Sequence, residues 1–191
     1  MEKKKDLRFQ KTHKSIRDTF KSLMLHKDFK DISVTELSNL ANINRKTFYL
    51  HYKSIEDLLK ELETEIAEHI LKVLHEEHFL EASYQMSDLC RAMNKILIEN
   101  YDLHMRIISS DSCQFFVERV QEIIISEFLP EWKDKVKMST LELKLIAFGT
   151  ANGILSLYRM NYRRKLELSL EQIAELADKV ISINNNNFSY S

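Results

Sequence analysis

Residues 33–53, SVTELSNLANINRKTFYLHYK, decide the fold of the N-terminal part of the chain. Ser33 and Glu36 have the spacing of a capping box, which predicts that the Ser33 hydroxyl accepts from the Glu36 amide and that the Glu36 carboxylate reaches back to the Ser33 amide. A short helix follows, and Asn42 stands where the chain must turn, because asparagine tolerates the left-handed backbone almost as glycine does. The stretch therefore predicts two short helices joined by a tight turn, which is a helix-turn-helix.

The second short helix, residues 45–52, carries side chains that suit contact with DNA. Asn44 caps its start, and Phe48 and Tyr52, four residues apart, face the core. In a helix-turn-helix the second helix enters the major groove with its N-terminal end at the base edges. The predicted DNA-binding residues are Arg45, Lys46 and Thr47 at the base edges, Tyr49, His51 and Lys53 at phosphates, and Thr35 at a phosphate near the start of the preceding helix.

The segment from Val34 to Leu59 resembles the DNA-binding head of the TetR/AcrR family of transcriptional regulators. The family pattern is a small helix ending in Ala-Gly-Val-Ser, then Thr-Phe-Tyr-x-His-Phe, then Lys-x-Lys-Glu-Asp-Leu-Leu, and the match extends over about residues 10–62. Asn42 stands where the family usually has Gly, and Asn44 where it has Ser, which keeps the turn and cap chemistry. Lys46 replaces a commonly small residue and places a long cation against the groove.

The resemblance implies an all-α fold with an N-terminal three-helix DNA-binding head (residues 1–54) and a C-terminal helical body (residues 55–183). The body would bind a small-molecule effector and form a homodimer through about residues 141–160 and 169–182. The segment FGTANGI at residues 148–154 also resembles one C-terminal subtype of the family. Double-stranded DNA with a palindromic operator is the implied partner, and ligand-relieved repression is the implied mode, with activation as the alternative.

Composition agrees with an all-helical chain that contacts a polyanion. Only two Gly and one Pro occur in 191 residues, so helix breakers are scarce. Residues 1–53 carry thirteen basic against six acidic residues, whereas the rest carries fifteen against twenty-three. A basic head on an acidic body suits DNA binding, although a lysine-rich solvated N-terminus would look the same.

Hydrophobic spacing predicts the helices of the body. A regular apolar stripe begins at Ile55 and marks a long helix over residues 55–78. Further helices are expected at about residues 87–101, 103–108, 113–128 (ending before Pro130), 141–160 and 169–182. Residues 184–191 are polar and Asn-rich, and we predict a disordered tail there.

Localisation and redox state follow from what the sequence lacks. No apolar stretch approaches the ~20 residues of a membrane span, and MEKKKDLRFQKTHK has no signal-peptide hydrophobic region. We expect a cytoplasmic protein with no membrane partner, in which Cys90 and Cys113 are reduced thiols.

Two kinds of ligand site remain open in the body. An apolar effector pocket is predicted from residues that would equally suit an ordinary core, namely Met93, Tyr101, Met105, Phe115, Phe116 and Tyr158. We expect no cofactor, but a metal- or haem-sensing regulator is an alternative. Its candidate ligands are His75, His78, Cys90, His104 and Cys113.

Two other functional classes are less well supported. A Cys–His pair would serve a nucleophilic enzyme, but no Gly-rich phosphate loop, nucleophile elbow or spaced carboxylate pair occurs. We therefore predict that the chain is not an enzyme. A helical interaction protein that does not bind DNA is the third possibility, and loss of DNA affinity on substitution of Tyr49 or Lys53 would exclude it.

Overall fold

A computed structural model describes residues 2–78, 86–135 and 137–187. These ranges contain nine α-helices and two short 3-10 turns, with no β-strand, which confirms the predicted all-α class. The helices are α1 (Glu2–His26), α2 (Val34–Leu40), α3 (Arg45–Tyr49), α4 (Ile55–Glu76), α5 (Met86–Glu99), α6 (Tyr101–Ser109), α7 (Gln114–Lys135), α8 (Thr140–Arg164) and α9 (Leu170–Asn187). Across these helices, none combines the length and apolar character needed to cross a membrane.

Helices α1, α2 and α3 pack together at the N-terminal end of the hydrophobic core. Ile16 and Phe20, four residues apart on α1, are buried against the same cluster as Leu37 of α2 and Phe48 of α3. Each of these side chains is at most 1% exposed. Helix α1 begins at Glu2 and ends at His26.

Helix α4 continues the same core from the head into the body. Its buried face runs from Ile55 to Leu74, as its hydrophobic spacing predicts, and it packs on α5 and α7. Helix α7 also packs on α8, and α5 packs on α9. Helix α6 lies between α8 and α1, so it is a second connection between the body and the head.

Helix α7 corrects the prediction that this helix ends before Pro130. The helix continues through Pro130 to Lys135. Proline removes the hydrogen bond to the carbonyl of Ser126, but both residues are exposed, so water can reach that carbonyl. The continuation brings Trp132 against Phe128, with ring centroids 6.0 Å apart.

The C-terminal end differs from the prediction in the same direction. Helix α9 runs on to Asn187, four residues into the segment 184–191 for which we predict disorder. The rest of that segment, residues 188–191, lies outside the described residues.

Candidate nucleic-acid interface

The turn between α2 and α3 is fixed by side-chain caps, as predicted. The Ser33 hydroxyl accepts from the Glu36 amide at 3.1 Å. Asn42 has a φ of 55°, in the left-handed region. Asn44 Oδ1 accepts from the Thr47 amide at 2.8 Å and from the Thr47 hydroxyl at 3.1 Å. The two helices are therefore started and separated by local chemistry.

The capping box at Ser33 forms on one side only. The Glu36 carboxylate, predicted to reach back to Ser33, instead accepts from Lys27 Nζ at 2.9 and 2.8 Å. An ammonium group offers a charge-assisted bond, which is stronger than one from a neutral amide. Glu36 thus ties α2 to the end of α1.

Helix α3 is shorter than predicted but presents the expected faces. It ends at Tyr49, and residues 50–52 continue as a turn in which the Tyr52 amide donates to the Phe48 carbonyl at 3.0 Å. Phe48 and Tyr52 are buried. Most of the predicted DNA-binding residues lie on the exposed side of this segment or of α2. The exposed ones are Thr35, Arg45, Lys46, Tyr49 and Lys53, whereas Thr47 is half-buried.

Three of the predicted phosphate-binding residues line one open cleft of about 410 Å³. Tyr49, His51 and Lys53 line it together with Asp57 and Glu61 of α4. The Lys53 amide donates to Asp57 Oδ2 at 2.8 Å, and the Asp57 amide donates to Ser54 Oγ at 3.4 Å. This cap starts α4 directly after residues 45–53.

His51 lies in a different environment from the one expected of a phosphate donor. Its ring stacks on Phe9 of α1, with centroids 4.0 Å apart, and its Nδ1 is buried with no hydrogen-bond partner among the described residues. Burial lowers the pKa of His51, and the nearby His13 lowers it further. His51 therefore favours the neutral form, and it contributes to this surface by the packing of its ring and not by a positive charge.

Tyr52 is the centre of a polar network that the sequence analysis missed. Its hydroxyl donates to Glu61 Oε2 at 2.8 Å and lies 2.7 Å from His13 Nε2. Burial and the hydrogen bond to Glu61 raise the pKa of Tyr52. Arg17 Nε lies 3.2 Å from Glu61 Oε1. This network joins α1, the turn that follows α3, and α4.

The polar contacts between α1 and α4, which we call the α1–α4 seam, continue one turn further along both helices. Glu65 accepts from Lys21 Nζ at 2.8 Å and also from Arg17, and these two cations lower its pKa against the opposing effect of burial. The signal was present in the sequence, because positions 13, 17 and 21 are basic or His and positions 61 and 65 are acidic, all four residues apart. The seam fixes the angle between the head and α4.

The residues predicted to line an effector pocket are spread over several environments. Met105, Phe116 and Tyr158 are buried in the core, Met93 and Phe115 are half-buried, and Tyr101 is 37% exposed. The ring of Phe115 packs against Phe29 of the head, with centroids 5.3 Å apart. The pocket itself stays a prediction.

Tyr158 has a structural use for its hydroxyl. It donates to Asn94 Oδ1 at 2.5 Å and lies 3.2 Å from the Cys90 carbonyl, and burial raises its pKa. Asn94 Nδ2 in turn donates to the Leu170 carbonyl at 2.9 Å. This buried polar group connects α5, α8 and α9, and it already occupies the Tyr158 hydroxyl.

The candidate metal ligands do not converge. His75 packs on the ring of Phe128, with centroids 4.9 Å apart, and Cys113 lies buried in the turn before α7. His104 is on α6, where burial lowers its pKa. Within residues 2–78, 86–135 and 137–187, no group of three or more His, Cys, Asp or Glu side chains is arranged to hold a metal ion.

One buried carboxylate lies on the inner face of α4. Glu63 is 3% exposed, and its Oε2 is 3.3 Å from Arg119 Nη1 of α7. Burial raises the pKa of Glu63, because the surroundings disfavour its charged form.

Helix α8 carries an apolar face that the described part of the chain leaves exposed. Leu141 and Leu145 are 67% and 63% exposed, and Met160 further along is 40% exposed. Gly149 and Gly153 lie on the same face at spacings of four, and no described atom apart from their chain neighbours and the helix's own backbone lies within 4 Å of where a Cβ would stand. The face is therefore flat enough in its middle for another helix to approach closely.

No protein-family model matches the sequence, and no curated protein matches it. Solved structures do match. A TetR transcriptional regulator from Streptococcus agalactiae 2603V is 23% identical, with 95% of this chain and 99% of that chain covered and a TM-score of 0.72. A transcriptional regulator of the TetR/AcrR type from Aquifex aeolicus VF5 is 19% identical over 90% and 98%, with a TM-score of 0.62.

A third match is FadR from Thermus thermophilus, described as a TetR-family transcriptional repressor in complex with lauroyl-CoA. It is 16% identical, with 86% of this chain and 90% of that chain covered and a TM-score of 0.55. These likenesses extend over nearly the whole of each chain. The chain therefore has the TetR/AcrR fold that the sequence of its head predicted.

Proposed function

We propose that this chain is a TetR-type transcriptional regulator that binds a palindromic DNA operator as a homodimer. The observation that carries the proposal is the capped α2–α3 turn. It buries Phe48 and Tyr52 and leaves Arg45, Lys46 and Tyr49 exposed on one short helix. A helix held in this way can enter the major groove without rearrangement.

The proposed DNA contacts divide into two kinds. Arg45 and Lys46 at the start of α3 would contact base edges, with the Thr47 methyl available to a thymine methyl. Tyr49 and Lys53 would contact phosphates, together with Thr35 at the start of α2. His51, being disposed to the neutral form, would support the surface by its stacking on Phe9.

The second copy of the chain would cover the exposed face of α8. A palindrome requires two heads about one DNA turn apart, ~34–36 Å, and only a dimer supplies them. The apolar ends of this face and its two glycines suit a close crossing with α8 of the partner. Helix α9 completes the proposed four-helix interface, and Leu176 on it is 37% exposed.

We propose that a small-molecule effector binding in the body relieves repression. Helix α4 runs from the head core into the body, so a ligand that favours a different tilt of α4 changes the separation of the heads. A repressor with a ligand in its body has a precedent in the Thermus thermophilus protein, which is described in complex with lauroyl-CoA. The apolar side chains of Met93, Met105 and Phe116 are the proposed lining.

Selection of an operator from a random-sequence DNA library tests the proposal. The full-length protein is expected to enrich a palindrome, with affinity that falls steeply as salt rises. Tyr49→Ala and Lys53→Ala are expected to weaken binding, and Lys53→Ala to reduce the salt slope by about 1. Lys72→Ala is the matched control, because Lys72 is 74% exposed on α4, far along from the head.

The outcome separates the candidate functions. Enrichment of no sequence would exclude the proposed DNA-binding role, whereas equal affinity of the Lys53→Ala and Lys72→Ala variants would exclude Lys53 as a DNA contact. Enrichment of a single half-site with no palindrome would retain DNA binding and exclude the homodimeric operator.

A further inference from the structure

The corner between α6 and α7, residues 106–113, contacts the head directly. Asp28 stands between α1 and the next turn of the head, and its Oδ1 lies 3.5 Å from Arg106 Nη2. The same oxygen accepts from Ser110 Oγ at 3.3 Å. Phe29, the next residue, packs on Phe115 just beyond the corner. The position of this corner therefore bears on the orientation of the head.

Helix α8 holds the other side of the same corner with two arginines. Arg159 Nε donates to the Ile108 carbonyl at 2.9 Å. Arg163, one turn later, donates to the Ser109 carbonyl from Nε at 2.9 Å and again from Nη2. Arg163 Nη2 also lies 2.6 Å from Asp111 Oδ1. Two consecutive carbonyls at the end of α6 thus have a guanidinium partner.

These carbonyls are the groups that a helix leaves without partners at its C-terminus, and cations are favoured there. A guanidinium suits the task because its planar fork binds two acceptors in a fixed direction, which a lysine ammonium does not. Arg163 uses this fork for the Ser109 carbonyl and the Asp111 carboxylate together, and its hydrogen bond holds the pKa of Asp111 below its usual range.

The contacts are better suited to positioning than to overall stability. The Arg163 and Asp111 side chains are 43% and 89% exposed, and an ion pair exposed to that degree adds little to the free energy of folding. What the arginines add is a direct connection from α8, the proposed dimer helix, to the end of α6 and so to Asp28 of the head.

We infer that Arg159 and Arg163 are positioning residues that fix the head relative to the dimer by clamping the end of α6. The inference rests on the proposed function, since head spacing matters only where two heads bind one operator. Without the clamp the last turn of α6 frays and the heads sample more separations. The apparent DNA affinity then falls with the fraction of dimers that have the correct spacing.

Pulsed electron paramagnetic resonance on the full-length protein without DNA tests the clamp. A spin label on a cysteine introduced at Asn39, which is exposed on α2, reports the distance between the two heads. Cys90 and Cys113 are buried and can remain. Arg163→Ala is expected to broaden the distance distribution, and Arg159→Ala to broaden it in the same way.

Arg164→Ala is the matched control, because it removes the same charge from an exposed neighbouring position. It is expected to leave the distribution unchanged. Arg163→Lys keeps the charge without the fork and is expected to restore the width only in part. Distance distributions of equal width for the parent, Arg159→Ala and Arg163→Ala would overturn the inference.

Operator affinity gives a second readout. Arg163→Ala is expected to bind the selected operator about fivefold or more weakly than the Arg164→Ala protein, with the same helix content by circular dichroism. If Arg163→Ala loses helix content, Arg159→Ala and Arg163→Lys carry the test instead. A parent that shows no distance between heads contradicts the proposed dimer, whereas a parent with a sharp distance that both alanine variants retain contradicts the clamp alone.

Discussion

Removal of the cap at Asn44 is the sharpest test of how the recognition helix is held. Asn44→Ala deletes the oxygen that accepts from the Thr47 amide at 2.8 Å and from the Thr47 hydroxyl at 3.1 Å. Loss of an N-cap side chain costs about 1 kcal/mol. Helix α3 has only five residues, so it has few other intrahelical bonds to absorb the loss.

The same figure bounds the effect on DNA binding. Since 1.4 kcal/mol corresponds to a tenfold change in affinity, a loss of about 1 kcal/mol that falls entirely on local ordering of α3 weakens operator binding by about fivefold at most. The same loss lowers the melting temperature of the whole chain by only about 2–4 °C, so thermal unfolding is a less sensitive measure of it than DNA binding. Asn44→Ser keeps a good cap and is expected to retain both stability and affinity.

The measurements are thermal denaturation by circular dichroism and operator binding by fluorescence anisotropy, each on the parent and both variants. Two results would refute the reasoning. One is an Asn44→Ala protein that is as stable and as tight as the parent. The other is an Asn44→Ser protein that behaves like Asn44→Ala, because the amide would then contribute something other than a cap.

Three further predictions concern the body. Glu63→Gln is expected to raise the melting temperature at neutral pH, because burial raises the Glu63 pKa and the charged carboxylate therefore destabilises the fold. This destabilisation is present above the folded pKa and disappears as the pH falls to about 4.5. A higher melting temperature of the variant that persists in acid would contradict the prediction. Gly153→Leu places a large side chain on the flat face of α8 and is expected to raise the dimer Kd about tenfold or more in analytical ultracentrifugation, whereas Lys72→Leu is not. Tyr158→Phe leaves the buried Asn94 oxygen without its donor and is expected to cost about 1–3 kcal/mol in urea denaturation; an unchanged midpoint would return Tyr158 to the candidate pocket.

The head was predictable because its boundaries are set by local chemistry. Ser33, Asn42 and Asn44 each act on backbone groups within three residues of themselves, so their roles follow from sequence spacing alone. The carboxylate of Glu36 was not predictable in this way. Its partner Lys27 is brought close only by the packing of α1 on α2.

Contacts between helices account for most of the features that could not be predicted from the sequence. The seam of His13 and Arg17 with Glu61 depends on the angle between α1 and α4. The burial of the Tyr158 hydroxyl against Asn94 depends on three helices at once. Pro130 is a different case, because the usual rule that proline ends a helix does not hold where the residues around the lost hydrogen bond are exposed and an apolar residue beyond it, Trp132, packs against the core.

The capped turn has a consequence for how such a protein changes its target. The groups that hold α3 in place are Asn44 at its start and Phe48 and Tyr52 beneath it. Of the residues proposed to contact bases, Thr47 takes part in that support through its amide and hydroxyl, whereas no described side-chain contact gives Arg45 or Lys46 a part in it. Substitution at these two positions can therefore alter the preferred operator while the scaffold stays intact, so that new recognition specificities are accessible one residue at a time without a compensating change in the fold.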